Sequence, residues 1–272
     1  MKTLLDYLGA QSAAPVAGGC IHRCYRATID GAARFVKVNE ARFADVFAAE
    51  SEGLAALRAA GVRAPQPTRH GSHGKHAFLV MEFLELRPSG NWAELGRMLA
   101  KQPRHHGPCF GWARDNYIGT TPQRNARHDD WCGFFAECRL TPQLRLAQGN
   151  GFRLEAAKQV IDVLAQHQPQ PSLLHGDLWS GNAAFLADGA PVLFDPAVYY
   201  GDREADLAMT ELFGGFPREF YAAYEAAYPL PAGYELRKHL YNLYHLLNHL
   251  NLFGGGYLAQ VKATLSLLLD SV

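Results

Sequence analysis

The chain has 272 residues, of which 48% are hydrophobic, and its 26 basic residues equal its 26 acidic residues in number. This length allows one or two domains with a substantial core; the neutral charge and the lack of a long apolar run argue against nucleic-acid binding and a membrane span. Five cysteines without a CxxC pair, and an amino terminus unlike a signal peptide, favour a cytoplasmic protein over a disulfide framework or a zinc site.

The first predicted elements are two β-strands joined by a tight turn. Residues 24–29 and 34–38 are strand-like and flank Asp30-Gly31, a dipeptide typical of hairpins. Gly18 and Gly19 precede them and would let a backbone approach a phosphate closely, although paired glycines are also common in simple turns. The chain has no G-x-x-x-x-G-K-[ST] motif, so a Walker-type nucleotide site is excluded.

Two charged residues interrupt the next apolar patterns. Lys37 lies in the strand FVKV, so it either reaches solvent from an edge strand or is held by a buried acid. A helix is predicted over residues 41–60, ended by Gly61, and Glu50 lies within its apolar stripe. Unless Glu50 is exposed at the edge of the stripe, it needs a partner, because burying a lone carboxylate is costly. A strand lysine followed by such a glutamate matches the ion pair that grips ATP phosphates in kinases.

A linker rich in proline, serine, glycine and asparagine, residues 87–91, follows a predicted polar loop (70–76) and a strand (77–81). It predicts a nucleotide-binding domain over residues 1–85 and a catalytic and substrate-binding domain over 86–272. A nucleotide base would lie between the two and hydrogen-bond to backbone groups. The residues expected to offer those groups are Glu82, Phe83, Leu84 and Glu85.

A segment rich in aromatic and hydrogen-bonding residues covers 107–123 and could form either a sugar pocket or a structural loop. Helices are predicted over 92–101, 129–148 and 152–167, and over the last 55 residues. A further helix is predicted to begin within residues 199–209, with Asp202 as its N-cap. The polar side chains of the final long helix could line a pocket or be satisfied inside a helical core.

The segment LLHGDLWSGNAAFLADGAPVLFDP (173–196) contains two carboxylates, Asp177 and Asp195, and one carboxamide, Asn182. Each of them stands beside a short apolar run. Two strand-like runs around Asp188-Gly189 predict a hairpin with Asn182 at its entry and Asp195 at its exit. The alternative is a polar loop without a catalytic role, in which the acidic side chains only cap turns.

Oxygen ligands of this kind suit Mg²⁺, which binds one or two protein groups plus phosphates and waters. Asp177 and Asn182 have the spacing of the kinase catalytic loop, in which the Asp accepts a hydroxyl proton and the Asn binds metal. Asp195 falls where kinases place a second metal-binding Asp.

Several segments together resemble the fructosamine-kinase, or ketosamine-3-kinase, family. They are FVKVN (35–39), DNYIGTTPQ (115–123), HGDLWSGN (175–182), FDPAVYYGDREADLAM (194–209) and LNHLNLFGGGY (247–257). The resemblance implies an α+β, bilobal protein-kinase-like fold shared with aminoglycoside phosphotransferases and choline kinases. Its small N-terminal lobe would have an antiparallel sheet and one helix, and its larger C-terminal lobe would be mainly helical.

The resemblance also implies roles for individual residues. Asp177 would be the catalytic base, and Asn182 and Asp195 would hold Mg²⁺. Lys37 would contact the ATP phosphates and be oriented by Glu50, and Asp206 would brace the catalytic loop. The remaining expected contacts are Gly18, Gly19 and residues 82–85 with the nucleotide, and Asn116, Trp179 and His249 with the acceptor.

The activity implied is the ATP- and Mg²⁺-dependent phosphorylation of a sugar hydroxyl of a ketosamine, either a small molecule or one borne on a protein. Neither nucleic acid nor a membrane is expected as a partner. Two alternatives stay open: a phosphotransferase for another hydroxyl compound, such as an aminoglycoside or choline, and a catalytically inactive nucleotide-binding protein.

Overall fold

A computed structural model describes residues 2–16, 22–154 and 159–271, without the side chains of Lys2 and Pro103. In chain order its helices and strands are α1 (Lys2–Tyr7), β1 (Ala10–Pro15), β2 (Arg23–Ile29), β3 (Ala32–Glu40), α2 (Ala44–Ala59), β4 (Pro67–His73), β5 (His76–Glu82), α3 (Trp92–Lys101), β6 (Asn116–Ile118), β7 (Thr121–Gln123), α4 (Trp131–Phe134), α5 (Thr141–Gly149), β8 (Ser172–Leu174), β9 (Ala183–Phe185), β10 (Pro191–Leu193), β11 (Tyr199–Gly201), α6 (Arg203–Leu212), α7 (Arg218–Ala227), α8 (Tyr234–Phe253) and α9 (Leu258–Leu269). No helix within these described ranges is long and apolar enough to cross a membrane.

The contacts divide the chain into two compact units. The first consists of Met1–Asn91 with Asn182–Pro196, and the second of Trp92–Gly181 with Ala197–Val272. The segment 182–196 thus packs with the amino-terminal part of the chain, although 90 residues separate the two in sequence. The functional division after residue 85 stays a prediction.

The first unit is built on a five-stranded antiparallel sheet in the order β1-β2-β3-β5-β4. The predicted hairpin of β2 and β3 is confirmed. Asp30 and Gly31 have φ values of 51° and 73°, and two positive φ angles are what a tight type I′ hairpin turn requires.

Alternation along β3 sends its side chains to two different apolar groups. Val36 and Val38 pack with Leu4 and Leu8, on one face of the sheet. Phe35 packs against the cluster that contains Phe47 of α2. Because side chains two apart share a face, Lys37 is directed to the same side as Phe35, where α2 lies. The predicted helix ends as expected, before Gly61 with its φ of 81°.

The polar loop predicted over residues 70–76 is wrong, because residues 67–73 form β4. This strand lies at the edge of the sheet, and most of its side chains are exposed. Its backbone hydrogen bonds to β5 define it. Since those bonds do not depend on apolar side chains, the sequence carries no alternating pattern here.

The second unit is mainly helical, and α8 runs through its core. The apolar core joins Trp131 and Phe135 to Tyr241 and Leu247 of α8. The single helix predicted over 129–148 is interrupted by a π-helical stretch, Phe135–Leu140, between α4 and α5. For 152–167, the structure shows a 3₁₀ segment, Gln159–Leu164, and residues 155–158 lie outside the described residues.

The start of α6 agrees with the sequence. Asp202 precedes the helix, and its side chain accepts a hydrogen bond from the backbone N–H of Glu204. This is the N-cap contact that satisfies one of the unpaired donors in a first helical turn. The cap fixes where α6 begins and therefore where Asp206, one turn later, is placed.

Candidate active site

Lys37 of β3 is buried between two carboxylates. Its Nζ lies 2.7 Å from Oε1 of Glu50, on α2, and 2.5 Å from Oδ1 of Asp195. Lys37 is 5% exposed and Glu50 is 9% exposed. Burying an unpaired ion of this kind costs on the order of several kcal/mol, so each of these charges needs a partner. Of the two alternatives for Lys37, the buried acid is the one observed.

Burial and charge oppose each other in this ion group. Burial by itself lowers the pKa of Lys37, but Asp195 and Glu50 outweigh it and hold that pKa above its usual value. Burial raises the pKa of Glu50 above its usual value, although Lys37 acts in the opposite direction. The lysine therefore stays cationic at neutral pH, and Glu50 takes up a proton more readily than an exposed glutamate would.

A short hairpin brings Asn182 and Asp195 to one end of the same ladder. Strands β9 and β10 pair from Phe185–Pro191 to Ala183–Leu193, and the N–H of Phe194 donates to the carbonyl of Asn182 at 3.1 Å. The predicted hairpin is therefore confirmed. Asp195 has a φ of 56°, a left-handed conformation that is costly for most residues and best tolerated by Asp and Asn.

The donor set at this end of the hairpin fits a Mg²⁺ site. The hydrogen bond to Lys37 uses Oδ1 of Asp195, whose side chain is 35% exposed and so within reach of solvent. The buried carboxamide of Asn182 lies beside it on the hairpin. Mg²⁺ prefers few protein oxygens and completes its shell with phosphates and water.

Asp177 lies in the second unit, on the turn that follows β8, and is half-buried. The backbone of this turn is held by Asp206 of α6, whose Oδ2 and Oδ1 accept from the N–H groups of His175 and Gly176 at 2.6 and 2.8 Å. Burial raises the pKa of Asp206 to about 7, although both N–H groups lower it. The expected contact of Asp206 with this loop is thus present.

Two glycines of HGDLWSGN have steric reasons to be there. Gly176 has a φ of 82°, and an added Cβ would overlap the carbonyl oxygen of Ala197. At Gly181 an added Cβ would overlap the indole ring of Trp179. The two positions therefore allow the turn to lie close to its neighbouring strand and the indole to lie against the backbone.

Five residues of the second unit form an aromatic cluster, which we define as Trp179, Phe213, His249, Phe253 and Tyr257. The ring centroids of Trp179 and Phe213 are 6.1 Å apart, and those of Phe213 and His249 are 4.6 Å apart. His249 also lies 5.5 Å from Phe253 and 5.2 Å from Tyr257. Phe253 is 57% exposed, so the cluster reaches the surface. The structure thus brings together two of the three predicted acceptor contacts.

His249 is suited to hydrogen bonding as a neutral imidazole. Burial lowers its pKa, against the effect of its hydrogen bond to the carbonyl of His245. Its Nδ1 lies 2.9 Å from that carbonyl oxygen, so Nδ1 carries the proton that it donates. In this tautomer Nε2 is a hydrogen-bond acceptor.

Asn116, the third predicted acceptor contact, has partners inside the second unit. It is 4% exposed, and its Nδ2 donates to the carbonyl of Val198 at 2.7 Å. Its Oδ1 accepts from Gln123 and Asn125, each at 2.8 Å. The structure does not bring Asn116 into the aromatic cluster, and its contacts are those of a structural amide.

The predicted hinge follows the last strand of the sheet. Glu82 ends β5, and its carboxylate pairs with Arg63 at 2.6 Å. Phe83 lies under the guanidinium of Arg26, 4.8 Å from the ring centroid. Leu84 and Glu85 follow without regular structure, so their backbone is not part of the sheet ladder. Gly18 and Gly19 lie outside the described residues.

Sequence reasoning missed the partners of Trp179 and His249 in the aromatic cluster. The spacing of four residues between His249 and Phe253 is helical and could have indicated Phe253, whereas Tyr257 lies beyond the end of α8 and carries no such signal. Phe213 carried no such signal, because only the tertiary fold brings the end of α6 to Trp179.

Comparison with known proteins gives one consistent result. The family model described as fructosamine kinase matches residues 2–271. A probable ketoamine kinase from Synechocystis is 48% identical over 92% of this chain and 88% of its own length. Another from Vibrio cholerae is 44% identical over 94% and 91%.

The solved structures agree. A protein from Haemophilus somnus assigned as a fructosamine-3-kinase is 29% identical, with a TM-score of 0.89 over 98% of this chain and 96% of that one. Its counterpart from Thermobifida fusca is 31% identical, with a TM-score of 0.85 over 98% of both chains.

More distant structures bear on the fold alone. The aminoglycoside phosphotransferase APH(4)-Ia has a TM-score of 0.66 at 15% identity over 99% of this chain and 98% of that one. The choline kinase LicA of Streptococcus pneumoniae has a TM-score of 0.63 at 14% identity over 99% and 97%. The predicted protein-kinase-like fold is confirmed.

A family model that covers nearly the whole chain and relatives above 40% identity confirm the resemblance found in the sequence motifs. They also confirm the predicted class of enzyme, an ATP-dependent phosphotransferase whose acceptor is a hydroxyl group. The chain belongs to the fructosamine kinase family.

Proposed function

We propose that this protein transfers the γ-phosphoryl group of ATP to a sugar hydroxyl of a ketosamine, with Mg²⁺ held by Asn182 and Asp195. The observation that carries the proposal is the buried ion group of Lys37, Glu50 and Asp195. Such a group is costly to bury, and its lysine supplies a fixed positive charge of the kind that grips ATP phosphates in kinases.

Each residue has a task in this chemistry. Asp177 accepts the proton of the acceptor hydroxyl as the oxygen forms its bond to the γ-phosphorus and the bond to ADP breaks. Lys37 neutralises phosphate charge, and Glu50 fixes the direction of its ammonium group. Mg²⁺ bound at Asn182 and Asp195 would supply further charge neutralisation on the phosphates.

The aromatic cluster is the proposed acceptor site. Apolar ring faces suit the C–H surface of a sugar, and they also attract the cationic amine of a ketosamine. Trp179 lies two residues after Asp177 on the same turn, so the cluster begins next to the proposed base. Exposed Phe253 supports an acceptor whose amine extends into solvent, as in a ketosamine on a protein. A cytoplasmic location remains a prediction.

The test is an assay of ADP release with Mg²⁺ and ATP. The acceptors are fructosamine, ribulosamine and erythrulosamine adducts of free lysine and of a short lysine peptide, with kanamycin and choline as controls. We expect turnover on at least one ketosamine and on neither control. Turnover only on a control would overturn the acceptor, and ATP binding without any transfer would indicate an inactive nucleotide-binding protein.

A further inference from the structure

The β6–β7 hairpin sends buried amides to the strand that neighbours the Asp177 turn. Nε2 of Gln123 donates to the carbonyl of Ala197 at 3.1 Å, and Nδ2 of Asn116 donates to that of Val198 at 2.7 Å. These two carbonyls directly precede β11. We infer that Gln123 and Asn116 are positioning residues, which set the register of the turn that carries Asp177.

The path from these amides to the turn is short. Ala197 N–H donates to the carbonyl of His175 at 2.8 Å, just beyond the paired residues of β8 and β11. Gly176 lies against the carbonyl group of the same residue, Ala197, where an added Cβ would overlap the oxygen. The position of Ala197 therefore determines where His175 and Gly176 lie, and Asp177 follows directly.

The amides use almost their full hydrogen-bonding capacity. The two protons of Gln123 Nε2 go to Ala197 and to Oδ1 of Asn116, and its Oε1 accepts from the hydroxyl of Tyr244 at 2.8 Å. Asn116 Oδ1 accepts a second bond from Asn125. Both residues are more than nine-tenths buried. A side chain with only one kind of hydrogen-bonding group could not replace either of them.

Arg139 holds the far side of this network. Its Nη2 donates to Oδ1 of Asn125 at 2.8 Å, and its guanidinium lies 3.9 Å from the ring centroid of Tyr199 on β11. Arg139 is itself completely buried and is carried by the π-helical stretch. The guanidinium thus contacts both the amide network, through Asn125, and β11, through Tyr199.

Two different elements among the described residues support the turn from outside. Asp206 of α6 accepts hydrogen bonds from the N–H groups of His175 and Gly176. Gln123 binds the carbonyl of Ala197, whose N–H in turn donates to the carbonyl of His175. Reaction geometry is sensitive to such supports, since a displacement of about 1 Å can cost on the order of 100-fold in rate. The inference rests on the proposed function, because it takes Asp177 as the base.

The experiment compares Gln123→Met with Thr210→Val in the full-length protein. Thr210 is equally buried, and its hydroxyl donates to the carbonyl of Leu207 within α6, so its loss also removes a buried hydrogen bond. We expect kcat of Gln123→Met to fall about tenfold or more with KM for ATP unchanged. Thr210→Val should keep the wild-type kcat. An unchanged kcat in folded Gln123→Met would overturn the inference.

A second variant, Gln123→Glu, tests the inference even if Gln123→Met fails to fold. Gln123→Glu keeps the size of the side chain but replaces the donor by an acceptor facing Ala197. A protonated carboxyl restores one donor, so the ratio of the variant's kcat to the wild-type kcat should rise as the pH is lowered. The same pH profile in both proteins would contradict the positioning role.

Hydrogen exchange separates this inference from the proposed function. We expect the amides of residues 172–178 to exchange faster in Gln123→Met than in wild type and in Thr210→Val. A wild-type protein inactive on every ketosamine would defeat the proposed function, while faster exchange would still support the positioning role. Unchanged exchange would defeat the positioning role in an otherwise active kinase.

Discussion

The two units hold their acidic residues in opposite ways. In the first unit, Lys37 forms an ion pair with the carboxylate of Asp195 and a second ion pair with Glu50. In the second, Asp177 belongs to a turn whose backbone N–H groups are held by the buried carboxylate of Asp206. One arrangement positions a side chain by charge, and the other positions a segment of backbone by directional hydrogen bonds.

The difference has consequences for mutation and for pH. Removing Lys37 leaves two carboxylates without their cation. The loss of stability should be large, because a buried charge without a partner destabilises the fold by more than the intact ion pair stabilises it. Removing Asp206 leaves two buried N–H groups unsatisfied but also removes a carboxylate whose own burial is unfavourable. Loss of the Lys37 ion group should therefore mainly lower stability and ATP binding. Changes to the turn should mainly alter catalysis and the pH dependence of stability.

The largest effect should come from Asp177→Asn, which keeps the shape of the turn and removes the base. General bases typically contribute about 10²–10⁴-fold, so we expect kcat to fall by that order. The measurement is steady-state ADP release with a ketosamine that the wild type accepts. Asp129→Asn, at an exposed position, is the matched control and should match wild type. Equal activity in both variants would remove Asp177 as the base.

Breaking the ion group should have the next largest effect. We expect Lys37→Met to lower the free energy of unfolding by about 3–5 kcal/mol, the usual loss for one partner of a buried pair, and to weaken ATP binding. Chemical denaturation measures the free energy of unfolding, and calorimetric titration measures the affinity for ATP. Arg97→Met removes one partner of an exposed pair with Glu94, so it should cost less than about 1 kcal/mol. Similar losses in both variants would argue against a special role for the buried group.

Asp206 should make stability depend on pH in a predictable direction. Because burial raises its pKa to about 7, the folded state binds a proton that the unfolded state releases near pH 4. The stability from this group is present below pH 4 and is lost as the pH rises towards 7. The unfolding free energy of wild type minus that of Asp206→Asn should therefore fall across this window. A flat difference would show that Asp206 is not held protonated.

The smallest effect concerns the edge of the aromatic cluster. Phe253→Ala removes an exposed ring, and an exposed cation–π contact is worth about 0.5–1 kcal/mol. We therefore expect KM for a lysine ketosamine to rise about threefold, with KM for ATP unchanged. Leu267→Ala on α9 removes another exposed apolar side chain and should alter neither constant. An unchanged acceptor KM in Phe253→Ala would place the amine elsewhere.

The sequence determined the features whose signals are local. The turns at Asp30-Gly31 and Asp188-Gly189, the end of α2 at Gly61 and the cap at Asp202 were all predicted, because each depends on a few neighbouring residues. The burial of Glu50 was also predictable, since it interrupts an apolar stripe of helical period. The family motifs then identified the class of enzyme.

Only the tertiary structure decided which distant residues meet. It joined Lys37 to Asp195 across 158 positions and turned Asn116 from a proposed acceptor contact into a donor to Val198. It also made residues 67–73 an edge strand and interrupted the helix before α5. The physical reason is common to all of these: the hydrogen-bond or charge partner lies far away in the chain, and residue type shows only that a partner is needed.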